Sequence, residues 1–147
     1  MTINFDMDGT IADLYGVSDW LPKLVNHIET PYIEAKPLLP FNLLARRLNA
    51  LQKRGYKIVV ISWLAKGSDE EYDEKVSNAK LRWLAQHLPS VKWDNINIVP
   101  YGTPKNIFCE TTFDILFDDE TKNREEWTGK AYNEKNILET LKNLLTK

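Results

Sequence analysis

The chain reads as a single α/β domain over residues 1–147, a three-layer sandwich with helices on both faces of a mostly parallel sheet. Three observations carry that expectation. Short apolar runs alternate with amphipathic helical stretches, the pattern of βαβ units. The run Lys57-Ile-Val-Val-Ile61 is unbroken, as in a strand buried on both faces. A length of 147 residues with 43% hydrophobic and 27% charged content suffices for one core, and no linker, repeat or low-complexity tract interrupts it.

Ile3 and Phe5 alternate as in a first strand, which stops at Asp6-Met-Asp8 and turns at Gly9. Ser18 or Asp19 caps a helix carrying Leu21, Leu24, Val25 and Ile28 at helical spacing. Thr30-Pro31, Pro37 and Pro40 mark an irregular crossing. A second helix, Phe41 to Arg54, puts Leu44, Leu48 and Leu51 on one face and stops at Gly55. The second strand, Lys57 to Ile61, ends at Ser62. Lys66 to Lys75 is polar and acidic, a solvated loop or a helix start. From Val76 a helix presents Ala79, Trp83, Leu84 and Leu88, and Pro89 stops it. Ile96–Val99 and Asp114–Phe117 read as the third and fourth strands, the latter ending at Asp118-Asp119. A short fifth strand lies near Lys130–Tyr132, and Asn133 caps a final helix with Ile137, Leu138, Leu141, Leu144 and Leu145.

Composition narrows the function. A net charge of −2, from 19 basic and 21 acidic residues, offers no general attraction for nucleic acid or membrane. No apolar run approaches a membrane span, and the acidic turn lies too near Met1 to leave room for a cleaved leader. The single cysteine, Cys109, cannot form an internal disulfide. With His27 and His87 far away in sequence it reads as a small core or loop residue, and a reduced, cytoplasmic setting is expected.

In open parallel sheets ligands bind at the carboxyl ends of the strands. That edge would gather Asp6 and Asp8, Ser62, Lys105 from the loop after the third strand, and Asp118 with Asp119. Carboxylates at the end of a buried strand are costly unless paired, and a divalent cation is a common partner. Three readings compete for the turn. It could be a surface turn rich in Asp and Gly. It could be a calcium loop, since Asn4, Asp6, Asp8 and Gly9 fall at positions 1, 3, 5 and 6 of an EF-hand, but Tyr15 stands where position 12 requires Glu. The third reading, phosphoryl transfer, also uses the other residues the sheet gathers. Asp6 would attack phosphorus, and Asp8 would protonate the leaving oxygen and later activate water. Magnesium would offset repulsion between phosphate and carboxylates, with Asp118 and Asp119 completing the acidic set. Lys105 and the Ser62 hydroxyl would hold phosphate oxygens, with Lys66 and Lys80 as competing lysines. Trp63 is the tryptophan expected nearest the substrate, whereas Trp83 reads as core. Tyr15 and Trp20 form a pocket wall or simply pack the first helix.

The order DMDGT, then a β-branched strand ending in Ser62, then Lys105, then Leu116-Phe-Asp-Asp119 resembles the haloacid dehalogenase (HAD) superfamily of phosphatases, across essentially the whole chain. The resemblance implies a Rossmann-like core with an aspartyl-phosphate on Asp6 and Asp8 as acid/base. Ser62 and Lys105 would bind phosphate, with Gly9 and Trp63 beside them. Magnesium would sit between Asp6, the backbone carbonyl of Asp8, and Asp118-Asp119. Response-regulator receivers share the residue types, but their acidic pair comes first, and here it comes last. The helix segment Lys80–Leu88, the loop Thr103-Pro-Lys105 and the strand Ile115–Asp119 are similar to the 5′(3′)-deoxyribonucleotidase group. Those enzymes carry a sizeable helical cap, and residues 14–54 here leave room for a minimal one. The expected substrate is a nucleotide or deoxynucleotide monophosphate. A polynucleotide 3′-phosphatase with an open site, enclosure by a second subunit, and a non-catalytic phosphate-binding module on the same fold are the alternatives.

Overall fold

The computed structural model describes residues 1–147 and centres on β1 (Thr2–Phe5), whose last three residues are buried. On one side of β1 lie β4 (Lys57–Trp63) and β5 (Asn95–Val99); on the other lie β6 (Ile115–Phe117) and β7 (Lys130–Tyr132). Every pairing in the order β5-β4-β1-β6-β7 is parallel. The chain winds outward from β1 in one direction and returns to its other flank, so strand order reverses beside β1. Such a reversal opens a crevice at the carboxyl ends of β1 and β6.

Alternation along the strands divides the core. Ile3, Phe5, Ile58, Val60, Ile115 and Phe117 face the larger cluster. They meet Leu44, Leu48 and Leu51 of α3 (Phe41–Lys53), Trp83 and Leu84 of α4 (Glu70–His87), and Ile137, Leu141 and Leu144 of α6 (Ile137–Leu145). Phe5 stacks on Phe117 across the central pair, with ring centroids 5.1 Å apart. Val59, Ile61 and Leu116 point to the opposite face, where Trp127 covers them together with Phe108 and Cys109. This second layer is thinner, supplied by the 3-10 turn Lys105–Phe108 and the region of α5 (Thr121–Glu126). No helix is long and apolar enough to cross a membrane.

Three details differ from the sequence expectation, and of the two readings of the acidic run the helix start holds. Strand β4 continues to Trp63, so Ser62 lies inside the strand, paired with Ile98, instead of ending it. The acidic run opens α4: Asp69 accepts the Tyr72 N–H at 2.8 Å, and Glu70, Glu71 and Asp73 lie in the first turn, where the helix dipole favours negative charge. The crossing is ordered, with α2 (Thr30–Glu34) starting at Thr30-Pro31, where a missing N–H costs no helical bond. It leads into β3 (Lys36–Pro37), antiparallel to β2 (Ala12–Asp13). Finally, α1 (Trp20–Val25) has six residues and none is buried, and Asp19 at its N-cap position (φ 58°) makes no side-chain capping bond. Of residues 14–54, residues between Leu14 and Tyr32 line a cavity at the carboxyl edge, whereas Ala35 and α3 belong to the core.

Leu48 is fully buried and Leu21 is 55% exposed. Leu48→Ala is expected to lower unfolding free energy by about 2–5 kcal/mol, and Leu21→Ala to change it by about 0.5 kcal/mol or less. Urea unfolding midpoints at unchanged slope provide the check.

Candidate active site

The β1–β6 ladder sets the first distance. Beyond the last paired residue the Asp6 N–H still donates to the Phe117 carbonyl at 2.9 Å, which brings Asp6 beside Asp118. The chain then turns sharply, with the N–H groups of Thr10, Ile11 and Ala12 all donating to the Met7 carbonyl. Gly9 has φ +81°, and a Cβ there would collide with the Asp119 carboxylate and the Tyr15 ring. Its role in the structure is therefore clearance, which lets the loop after β6 close onto the loop after β1. Thr10 joins the two loops as well. Its hydroxyl lies 2.8 Å from Asp6 Oδ2 and accepts the Asp119 N–H at 3.1 Å.

Carboxylate oxygens of Asp6, Asp118 and Asp119 lie within 4.8 Å of one another. At an effective dielectric of ~20, each such pair of charges repels by roughly 3–4 kcal/mol. Two features of the chain reduce this. Lys105, 3% exposed, places its Nζ 2.8 Å from Asp6 Oδ1 and 2.7 Å from Asp118 Oδ2. Asp118 also accepts from Asn123 Nδ2 at 3.1 Å and from the Glu120 N–H at 2.9 Å. The loop bearing Lys105 is pinned by Trp63, whose indole N–H donates to the Thr103 carbonyl at 2.8 Å. That bond occupies the only side-chain donor of Trp63, so the ring is what Trp63 presents to the cavity.

Asp8 stands apart from this cluster. Its Oδ2 accepts from Lys80 Nζ at 2.9 Å, and Lys80 also reaches the Ser62 hydroxyl (2.5 Å) and the Trp63 carbonyl (2.8 Å). Ser62 is fully buried, and its oxygen faces Lys80, not the cavity. Lys66, the other competing lysine, lines the outer cavity wall. A cavity of about 340 Å³ opens above Asp6, Asp8, Lys105, Asp118 and Asp119. Tyr15 and Trp20, in edge-to-face contact at 4.9 Å, form one wall, and Trp63 with Tyr101, at 5.1 Å, forms the other. Leu21, Leu24 and Val25 of α1 line it too, so the apolar stripe of that helix faces the cavity. Trp83 is in the core, its N–H donated to the Ala35 carbonyl.

Sequence reasoning had no signal for Asn123, which reads as one more polar residue of a short helix, or for Tyr32, whose ring lies 5.1 Å from Lys80 Nζ. Lys80 was visible only as a rival to Lys105. A lysine among the buried positions Val76, Ala79, Trp83 and Leu84 was the available clue.

The carboxylates divide by environment. Burial works against the charged form of Asp6, yet Lys105 and the hydrogen bonds around it hold the group below the usual carboxylate range. Burial raises Asp8 despite Lys80. Burial and the Asp6 charge push Asp118 up to about 6; burial and the contact with Asp6 push Asp119 up to about 8. Two facing carboxylates, Asp6 and Asp119, require a shared proton or a cation between them. No backbone N–H takes the Asp8 carbonyl, leaving another oxygen free beside the cluster. An all-oxygen set of this kind suits a hard divalent cation such as magnesium.

For Asp118 and Asp119 the folded-state pKa lies above the ordinary 3.8. Their contribution to stability is therefore lost as pH rises through about 6 and about 8 in metal-free protein. Protons compete with a cation for the same oxygens. Magnesium is expected to raise the melting temperature more near about pH 9 than near about pH 5, and Asp119→Asn to shrink that difference. Thermal-shift titrations at the two pH values check this.

No protein-family model matches the chain, and no curated protein matches it in sequence. Its backbone does match solved structures. One is a D,D-heptose 1,7-bisphosphate phosphatase from Burkholderia thailandensis, at TM-score 0.57 and 15% identity, with 99% of each chain covered. Another is a chain of a Pnkp1/Rnl/Hen1 complex, at TM-score 0.58 and 18% identity, covering 90% of this chain and 44% of that one. The chain thus spans less than half the length of that second neighbour. With a parallel five-stranded sheet flanked by helices, the chain has the Rossmann-like α/β fold of the HAD type.

Proposed function

We propose that the chain is a magnesium-dependent phosphomonoester hydrolase that works through an aspartyl-phosphate on Asp6. The observation that carries this is the opposite treatment of two carboxylates on one turn. Asp6 is held ionised by Lys105, as a nucleophile requires, while burial favours the protonated form of Asp8, as a proton donor requires. An Asp6 oxygen forms a bond to phosphorus as the ester P–O bond breaks, and the Asp8 proton passes to the leaving oxygen, releasing the alcohol. Asp8, now a carboxylate, takes a proton from water. The resulting hydroxide attacks phosphorus, which frees inorganic phosphate and restores the Asp6 carboxylate. Asp6, Asp118, Asp119 and the Asp8 carbonyl would hold magnesium, which would supply the positive charge that phosphate and carboxylates together lack. Phosphate binding falls to Lys105, with the Trp63 ring as an apolar wall beside it; the Ser62 hydroxyl, turned to Lys80, supports the site from behind, and Gly9 gives its turn clearance. The bisphosphate phosphatase on the same fold supports the reaction class.

For substrate, the reading is a nucleoside or deoxynucleoside monophosphate. Two aromatic pairs facing one cavity of about 340 Å³ offer stacking surfaces for a planar base beside a phosphate subsite. A second reading, a phosphatase for polynucleotide 3′ ends, draws on the open rim, where Tyr15 is 47% and Tyr101 53% exposed.

Phosphate release from nucleoside monophosphates, sugar phosphates and a 3′-phosphorylated oligonucleotide tests both. Turnover that requires magnesium is expected to be greatest with nucleoside monophosphates and to fall at least about 10³-fold in Asp6→Asn, which keeps the shape and removes the nucleophile. A folded wild type that releases phosphate from none of them would instead be a binding module.

A further inference from the structure

Lys80 is the fully buried charged residue beside the site that the reaction above leaves unused. It lies in the middle of α4, 1% exposed, and an amine so placed is costly unless its donors are satisfied. All three are. One N–H goes to Asp8 Oδ2, one to the Ser62 hydroxyl oxygen and one to the Trp63 carbonyl. None remains for a phosphate oxygen while these bonds stand.

The partners differ in how firmly they are held. Ser62 and Trp63 belong to β4, where the backbone is fixed by ladders to β1 and β5. Asp8 belongs to the turn after β1, with a single isolated bridge to Ala12. Lys80 is thus a strut from a rigid strand to a side chain on a turn. The Tyr32 ring of α2, 5.1 Å from Nζ, closes the strut on that side. Because Oδ2 accepts from an ammonium, it is the poorer seat for a proton. No donor of the chain reaches Oδ1, and Asp8 lines the cavity.

We infer that Lys80 is a positioning residue for proton donation, reserving Asp8 Oδ2 as an acceptor and leaving Oδ1 as the atom that carries the proton to the leaving oxygen. The inference rests on the phosphatase reading of the same site. Its role differs from that of Lys105, which lies against the attacking carboxylate. The transfer balances as before: the Oδ1–H bond breaks, the alcohol O–H bond forms, and the P–O electron pair goes to the leaving oxygen.

Leaving-group dependence separates this role from a structural one. A phenolate as stable as 4-nitrophenolate departs with little help, whereas phenolate itself needs the proton. Wild type, Lys80→Met, Lys80→Arg and Asp8→Asn are compared on 4-nitrophenyl phosphate and phenyl phosphate with magnesium, reading kcat and KM separately. Lys80→Met is expected to lose about 10- to 100-fold more kcat on phenyl phosphate than on 4-nitrophenyl phosphate, in the same sense as Asp8→Asn. Lys80→Arg, which still offers donors, is expected to recover part of the difference. Equal losses on the two esters, or a loss confined to KM, would overturn the inference. Circular dichroism establishes folding; if Lys80→Met does not fold, Ser62→Ala removes one anchor of the strut, and its failure to show the same selective loss counts against it. A wild type that hydrolyses neither ester overturns the phosphatase reading itself, whereas an active wild type with unselective variants overturns the role of Lys80 alone.

Discussion

Four carboxylates and two buried amines at one edge of a parallel sheet form the interaction on which the rest of this structure depends. Asp6, Asp8, Asp118 and Asp119 would repel one another without Lys80 and Lys105, and each lysine takes a different share. Lys105 lies between the ends of β1 and β6, while Lys80 links the turn after β1 to β4. Two positive charges against four negative ones leave a deficit, which appears as the upward shifts of Asp118 and Asp119. The residual negative charge is what a divalent cation would balance.

The surrounding fold serves that edge. Helices α3, α4 and α6 bury one face of the sheet under a large apolar cluster, which fixes the strand ends. The other face is covered more thinly, by the segment that delivers Lys105 and by Trp127. Asp114 holds the opposite end of the same pair of strands. Its carboxylate accepts the N–H groups of Thr2, Glu110 and Thr111, and although burial opposes its charge, these bonds keep it below the ordinary range. Acidic residues at both ends of β6 thus do different work, one end cross-linking loops and the other gathering charge.

Much of this was legible in the sequence because strands ending in polar residues announce where a sheet edge is. Asp6, Asp118, Asp119 and Lys105 converge as their places after the first, third and fourth predicted strands imply, and the parallel order follows from alternating β and α patterns. What could not be read has physical causes. Periodicity shows that α1 has an apolar stripe, but not that a cavity, in place of a core, lies against it. The two-residue strands β2 and β3 are too short to carry a period at all. Ser62 belongs to a strand longer than its β-branched run, so its hydroxyl meets a helix lysine behind the site. The lysine itself was hidden because helix propensity does not distinguish a buried amine from a solvated one.

The absence of buried residues in α1 has a consequence for how firmly it is held. Trp20 and Leu24 are half-buried against the small cluster of Leu14, Tyr32 and Tyr72, so melting those six residues exposes less apolar surface than melting a core strand. Amide hydrogens there are expected to exchange through local opening more readily than those of the core strands. The cavity wall that α1 supplies is thus fastened more lightly than the sheet that carries the carboxylates.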